Sequence, residues 1–215
     1  MKETIYCISG LGADEQIFKN LQLQQYELRY LPWIKPQKNE GIQDYARRMV
    51  APVKELHPII AGVSFGGVMG IEIAKLLPLK KLFIISSIKS REEMPAWMRW
   101  AGSMKLNKVV PVKSYQLTQP IEHHRLGVST EDEKIMVRRY RRSADPFYIQ
   151  WAIHEILNWK NDWQPHHLVH IHGDSDRIFP IKKIRATHII QKGTHMMIYN
   201  RAAEVAACME KELQG

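Results

Sequence analysis

Cysteine is scarce in this chain: its 215 residues carry two, Cys7 and Cys208, at opposite ends of the sequence and outside any C-x-x-C spacing. That count excludes a disulfide framework, and the two read as free thiols of a reducing compartment. No run of about 18 apolar residues occurs, which argues against a membrane-spanning helix. The opening Met-Lys-Glu-Thr enters a strand-like run with no long apolar leader, so no signal peptide is read and the cytoplasm is the expected location. Internal repeats and low-complexity tracts are also missing. Acidic residues are the minority, 22 Asp and Glu against 31 Lys and Arg, for a net charge of +9. The basic residues are scattered except at Arg138, Arg139, Arg141 and Arg142, and no RNP pattern, zinc finger or arginine-rich tail accompanies them. This cluster reads as a solvated helix face, with steering of anionic substrates as the alternative. Nucleic acid is not an expected partner.

What is present suits one α/β domain with room for an insertion: 45% hydrophobic and 25% charged residues over a length that can bury a sizeable core. Thr4 to Ser9 reads as a buried strand ending in the loop Gly10-Leu11-Gly12-Ala13-Asp14, which leads into a short helical stretch near Glu15 to Leu21. Tyr26 to Leu31 is a weaker strand. Ile42, Tyr45, Ala46, Met49, Val53 and Leu56 recur at helical spacing, with a kink or break expected at Pro52. Pro58 to Val63 is a third strand, followed by an almost wholly apolar helical segment from Val68 to Leu77, and Leu82 to Ser86 is a fourth. Strand and helix alternate to this point, which predicts a parallel sheet covered on both faces. From Lys89 to Pro165 no strand is read. Three helices are expected there: Ala96 to Leu106; a second from the capping box Thr130-Glu131-Asp132-Glu133 to Arg142; and a third capped by Asp145 with Pro146 at its first position, running through Leu157. A structureless loop of that size is improbable, so the segment is an inserted helical subdomain. The rhythm resumes with strands at Leu168 to His172 and Thr187 to Ile190, and a final helix carries Ala202, Val205, Ala206, Met209 and Leu213 on one stripe.

The chemistry centres on Gly62-Val63-Ser64-Phe65-Gly66, a G-x-S-x-G between a predicted strand and helix. Such a turn lifts the serine hydroxyl clear of the backbone, and the glycines permit a close approach that a Cβ would block. Phe65 opens the helix, so its backbone N–H is free to face a developing oxyanion. A serine needs a base, and the base needs an anchoring acid, in the chain order serine, acid, histidine. Asp176 and His195 supply that order, each just past a predicted strand and in a glycine-containing loop, where parallel sheets place their sites. The bland alternatives are a glycine-rich βα turn and a hydrogen-bonded surface histidine. His166, His167, His170 and His172 lack the carboxylate or cysteine that would complete a metal set, so no metal and no cofactor is expected.

With these residues in place, the sequence resembles the α/β-hydrolase superfamily over residues 1–88 and 166–215. The resemblance implies a three-layer α/β fold, a mostly parallel sheet of about six strands with the first two of the family's eight missing, and a helical cap at 89–165. The family's acid pattern, H-G-x-x-D-x-x-x-P, stands here as His172-Gly173-Asp174-Ser175-Asp176-Arg177-Ile178-Phe179-Pro180, which selects Asp176 over Asp174. By the same resemblance Gly193-Thr194-His195-Met196 is the histidine loop, and the N–H of Leu11 joins that of Phe65 as the oxyanion hole. Family members usually carry H-G-x where this chain has Ser9-Gly10-Leu11. The Gly10-Leu11-Gly12 run is no nucleotide-binding signature, since Glu15 stands where a third glycine is required.

These readings imply a serine hydrolase that cleaves a carboxylic ester or thioester through an acyl-enzyme, with Ser64 as nucleophile, His195 as base and Asp176 as its anchor. Serine at the elbow argues against dehalogenase chemistry, which in this superfamily uses aspartate. Carbon–carbon bond hydrolysis or acyl transfer on the same triad is an alternative, as is a ligand-binding protein with little turnover. Trp97, Trp100, Trp151, Trp159 and Trp163, with Met94, Met98, Met104 and Met136, are core or pocket residues of the insertion and suggest a small, largely apolar acyl substrate. A monomer or homodimer is expected.

Overall fold

The computed structural model describes residues 2–103 and 119–214. Strands β1 (Glu3–Ile8), β2 (Tyr26–Tyr30), β3 (Ile59–Val63), β4 (Lys81–Ile85), β5 (Leu168–Gly173) and β6 (His188–Ile190) form one sheet. Their order is β2-β1-β3-β4-β5-β6, and every neighbouring pair is parallel. β3 is buried at all five positions, and a strand covered on both faces has no reason to alternate, so its sequence is a continuous small-and-branched run. β2, on an edge, is half exposed and carries Glu27 and Arg29. The chain starts at β1, goes outward to β2 and then crosses to β3 on the other side. The carboxyl ends of β1 and β3 therefore flank a topological switch point, with Ile8 in register with Gly62.

Helices α1 (Ile42–Val50), α2 (Phe65–Ala74), α3 (Ala96–Ser103), α4 (Gln119–Leu126), α5 (Glu131–Ser143), α6 (Pro146–Asn158), α7 (Met197–Asn200) and α8 (Ala202–Gln214), with short 3₁₀ helices at Glu15–Phe18 and Ile181–Lys183, complete the described elements. The stripe expected to run on to Leu56 stops with α1, because Pro52 has no N–H to extend the ladder, and Leu56 is 83% exposed. α2 begins at Phe65, the residue expected to open it, and ends at Ala74, short of Leu77; it is buried from Phe65 to Ile73, which accounts for its lack of a polar face. The capping box of α5 and the Asp145 cap of α6 both form, with Pro146 inside the first turn of α6. α4 and α7 are additions to the sequence reading: Gln119 to Leu126 has no apolar stripe, and α7 is a single turn. The last residues of the helix expected to reach Leu106, and Met104 with them, lie outside the described residues.

The sheet separates two apolar layers. One joins Tyr45, Phe65, Met69, Trp151 and Trp159, and the other Ile5, Phe18, Met136, Val205 and Met209. α6 is stitched into the first layer: Trp151 stacks on Tyr45 at 4.2 Å and donates its indole N–H to the Glu40 carbonyl at 2.7 Å. The Trp159 indole donates to the buried Glu72 carboxylate at 2.8 Å. No helix among the described residues is long and apolar enough to cross a membrane.

Candidate active site

Ser64 lies between the end of β3 and the first turn of α2 with φ +54° and ψ −118°, a backbone conformation that side-chain-bearing residues rarely adopt. The glycines make it possible. A Cβ on Gly62 would sit 2.2 Å from the Gly66 carbonyl oxygen, and one on Gly66 would sit 2.3 Å from the carbonyl oxygen of Ile8. The turn is held from β4 as well: the Ser64 N–H donates to the Ile85 carbonyl at 2.9 Å, and the Ser87 hydroxyl donates to the Ser64 carbonyl at 2.6 Å.

The structure brings Ser64, His195 and Asp176 together. His195 Nε2 is 3.0 Å from Ser64 Oγ, and His195 Nδ1 is 2.8 Å from Asp176 Oδ2. The other oxygen of Asp176 accepts the N–H groups of Ile178 at 2.8 Å and Phe179 at 2.9 Å. Asp174, the rejected alternative, is exposed and accepts the neighbouring Ser175 hydroxyl at 2.9 Å. Burial by itself raises the pKa of the Asp176 carboxyl, but the charge and hydrogen bond of His195, the nearby His172 and the Phe179 N–H together carry it below the ordinary value. The two loops touch through glycines: a Cβ on Gly173 would be 2.1 Å from the Gly193 carbonyl oxygen, and that oxygen accepts the Ser175 N–H at 2.9 Å. His172 lies beneath them, fully buried, and that burial lowers its pKa. Its Nε2 stands 3.6 Å from Asp176 Oδ2 and donates to the Phe179 carbonyl at 2.8 Å.

The β1 loop closes the other side. Gly10 lies against Ser64, where an added Cβ would come 3.4 Å from that of the serine. No acceptor among the described residues takes the backbone N–H of Leu11 or Phe65, and both residues line the cavity into which Ser64 opens. That cavity has a volume of about 490 Å³. Its walls are apolar and come largely from the segment between β4 and β5, with Leu126, Val137, Ile149, Ile153 and Ile156 among them. Trp97 and Met98 line it, whereas Met94, Trp151 and Trp159 belong to the core and Trp163 and Trp100 are exposed. Glu122 and Arg141 form an ion pair in the wall. The arginine cluster is thus divided: Arg138 pairs with Glu131 at 2.5 Å, and Arg139 pairs with Asp14 of the β1 loop at 2.7 Å.

No protein-family model matches the chain, and no curated protein matches it in sequence. Solved structures do. A thermophilic esterase from Thermogutta terrifontis with malate bound superposes at TM-score 0.75 and 14% identity, over 100% of this chain and 90% of that one. An epoxide hydrolase of Bacillus megaterium in complex with an inhibitor gives 0.71 at 14% identity, over 100% and 94%. The 2-hydroxy-6-oxo-6-phenylhexa-2,4-dienoate hydrolase of Rhodococcus sp. strain RHA1 gives 0.69 at 15% identity, over 100% and 91%. The chain has the α/β-hydrolase fold.

Within that α/β-hydrolase frame, Ser64, Asp176 and His195 follow the carboxyl ends of β3, β5 and β6. The sequence reading missed the groups that hold them. Ser87 and His172 are two, and the second could have been suspected from the H-G-x-x-D pattern. Trp33 and Tyr30 are two more: both reach Ser9 at the base of the β1 loop, and neither stands in any motif. Among the described residues no three His, Cys, Asp or Glu side chains gather as a metal site.

Proposed function

We propose that this protein is a serine hydrolase that cleaves a carboxylic ester or thioester of a small, largely apolar acyl group. The observation that carries the reading is the hydrogen-bonded series Ser64–His195–Asp176 on a strained turn that opens into an apolar cavity. The likeness to a thermophilic esterase supports the class. In this mechanism His195 Nε2 takes the Ser64 proton as Oγ attacks the carbonyl carbon, and Asp176 Oδ2 holds Nδ1–H so that Nε2 is the free base. The tetrahedral oxyanion forms against the N–H groups of Leu11 and Phe65, neither of which has another acceptor among the described residues. Imidazolium then protonates the departing alcohol or thiol. Water, deprotonated by His195, attacks the acyl-enzyme, and Ser64 recovers its proton as the acid leaves. Residues 1–88 and 166–215 form the catalytic core, and 89–165 is the cap whose side chains set the acyl preference.

The test is direct. A fluorophosphonate probe should label the wild type and leave Ser64→Ala unlabelled, and p-nitrophenyl esters of graded acyl length should turn over only with Ser64 present. Saturable binding of such esters with neither labelling nor turnover would instead support a ligand-binding protein on this fold.

A further inference from the structure

Where the family pattern has a histidine at the head of the oxyanion loop, this chain has Ser9, which is fully buried. Its hydroxyl is fully engaged. It donates to the Ala13 carbonyl at 2.7 Å, and so accepts from the Tyr30 hydroxyl at 3.0 Å and from the Trp33 indole N–H at 3.0 Å. The same indole N–H lies 3.3 Å from the carbonyl oxygen of Gly10, which also accepts the Ala13 N–H at 3.1 Å. That carbonyl belongs to the peptide unit whose N–H is Leu11. The unit is planar and trans, so fixing its C=O on one side fixes its N–H on the opposite side. The indole ring meanwhile stacks on the Phe65 ring, with centroids 5.2 Å apart and planes inclined by 16°.

We propose that Trp33 is a positioning residue for the oxyanion site. It reaches in from the loop after β2, aims the Leu11 N–H through the Gly10 carbonyl, and braces Phe65, which carries the second donor. Ser9 is the node through which Tyr30 joins the same support. Trp33 touches no reacting atom in this scheme. Its contribution is pre-organisation, which matters for donors that must already face the oxyanion when charge develops. The inference rests on the hydrolase reading above and adds to it what holds the hole in place.

The experiment compares the wild type with Trp33→Phe, which keeps an aromatic ring against Phe65 and removes the indole N–H. Two quantities are read: the second-order rate of Ser64 labelling by a fluorophosphonate, and the ratio of kcat/KM for a p-nitrophenyl ester to that for its thiono analogue. Sulfur accepts hydrogen bonds poorly, so an intact hole favours the oxygen ester and a misaligned one discriminates less. Loss of a whole donor costs about 10²- to 10³-fold, so a misdirected one should slow labelling roughly tenfold and lower the oxygen-to-sulfur ratio by a similar factor. Ser9→Ala, which removes the shared hydroxyl, should move both quantities the same way and is decisive if Trp33→Phe does not fold. An unchanged ratio, whether or not the rates fall, overturns the proposal and leaves Trp33 a packing residue. No Ser64-dependent reaction with either probe in the wild type overturns the hydrolase reading, and the proposal with it.

Discussion

At the scale of single residues, Asp176 is the group whose chemistry is most constrained. Both its oxygens receive N–H groups: Oδ1 those of Ile178 and Phe179, and Oδ2 that of His195. An amide cannot replace it without changing the tautomer of His195. In Asp176→Asn the amide keeps its oxygen on the two backbone N–H groups and turns its NH₂ toward His195 Nδ1. The imidazole then carries its proton on Nε2 and has nothing with which to accept that of Ser64. The expected result is a fall in kcat of about 10⁴-fold with the fold retained, read from ester hydrolysis beside a circular dichroism spectrum. Near-normal turnover would remove Asp176 from the role and return it to Asp174 or another acid.

At the scale of elements, the elbow is rigid because backbone meets backbone. A methyl group on Gly62 would face the Gly66 carbonyl 2.2 Å away, at the junction of β3 and α2, where both elements are fully buried and neither can recede. Gly62→Ala should therefore lose about 3 kcal/mol or more of stability in urea unfolding, the upper end of the overpacking range; a loss below about 1 kcal/mol would show that the turn can open. Rigid elements of this kind are also what the sequence makes legible. Strands such as β3 and β4, buried on both faces, read as unbroken apolar runs; β2 and β6, on the outside of the sheet and half exposed, do not, yet all six were read to within a residue or two. That Ser64, Asp176 and His195 come together was legible because a serine–acid–histidine series has a set chain order and the sheet offers strand ends to carry it. Other features left no periodic trace. α4 has no apolar stripe. Trp33 sits in a loop whose partners, Ser9 and Gly10, lie more than 20 positions earlier, so only the folded chain brings them together.

For the whole molecule, the sheet that gathers the site also buries ionisable groups, and that sets how the fold responds to acid. His170 on β5 is fully buried, with Glu93 Oε2 4.0 Å from its Nδ1. Burial, aided by the neighbouring His172 and the Lys89 charge, pushes its pKa down to about 2, and His172 is lowered as well, mainly by burial. A histidine depressed in the folded state takes up its proton more readily when unfolded. Its contribution to stability is therefore present above the unfolded value near 6.5 and is lost as pH falls below it. The lowered Asp176 acts with the same sign, but only below the unfolded carboxylate value near 3.9. Between pH 7 and pH 5 Asp176 plays no part, and His170 should remove about 2 kcal/mol of unfolding free energy over that interval. Urea titrations at the two pH values check this, with His170→Leu as the comparison: the pH-dependent loss should shrink by about that amount in the variant, whatever its stability at pH 7. An equal loss in both proteins would mean that His170 is hydrated or protonated in the folded state. The sheet would then be wetter than its packing indicates, and the low-dielectric setting that strengthens the His195–Asp176 bond would be weaker in proportion.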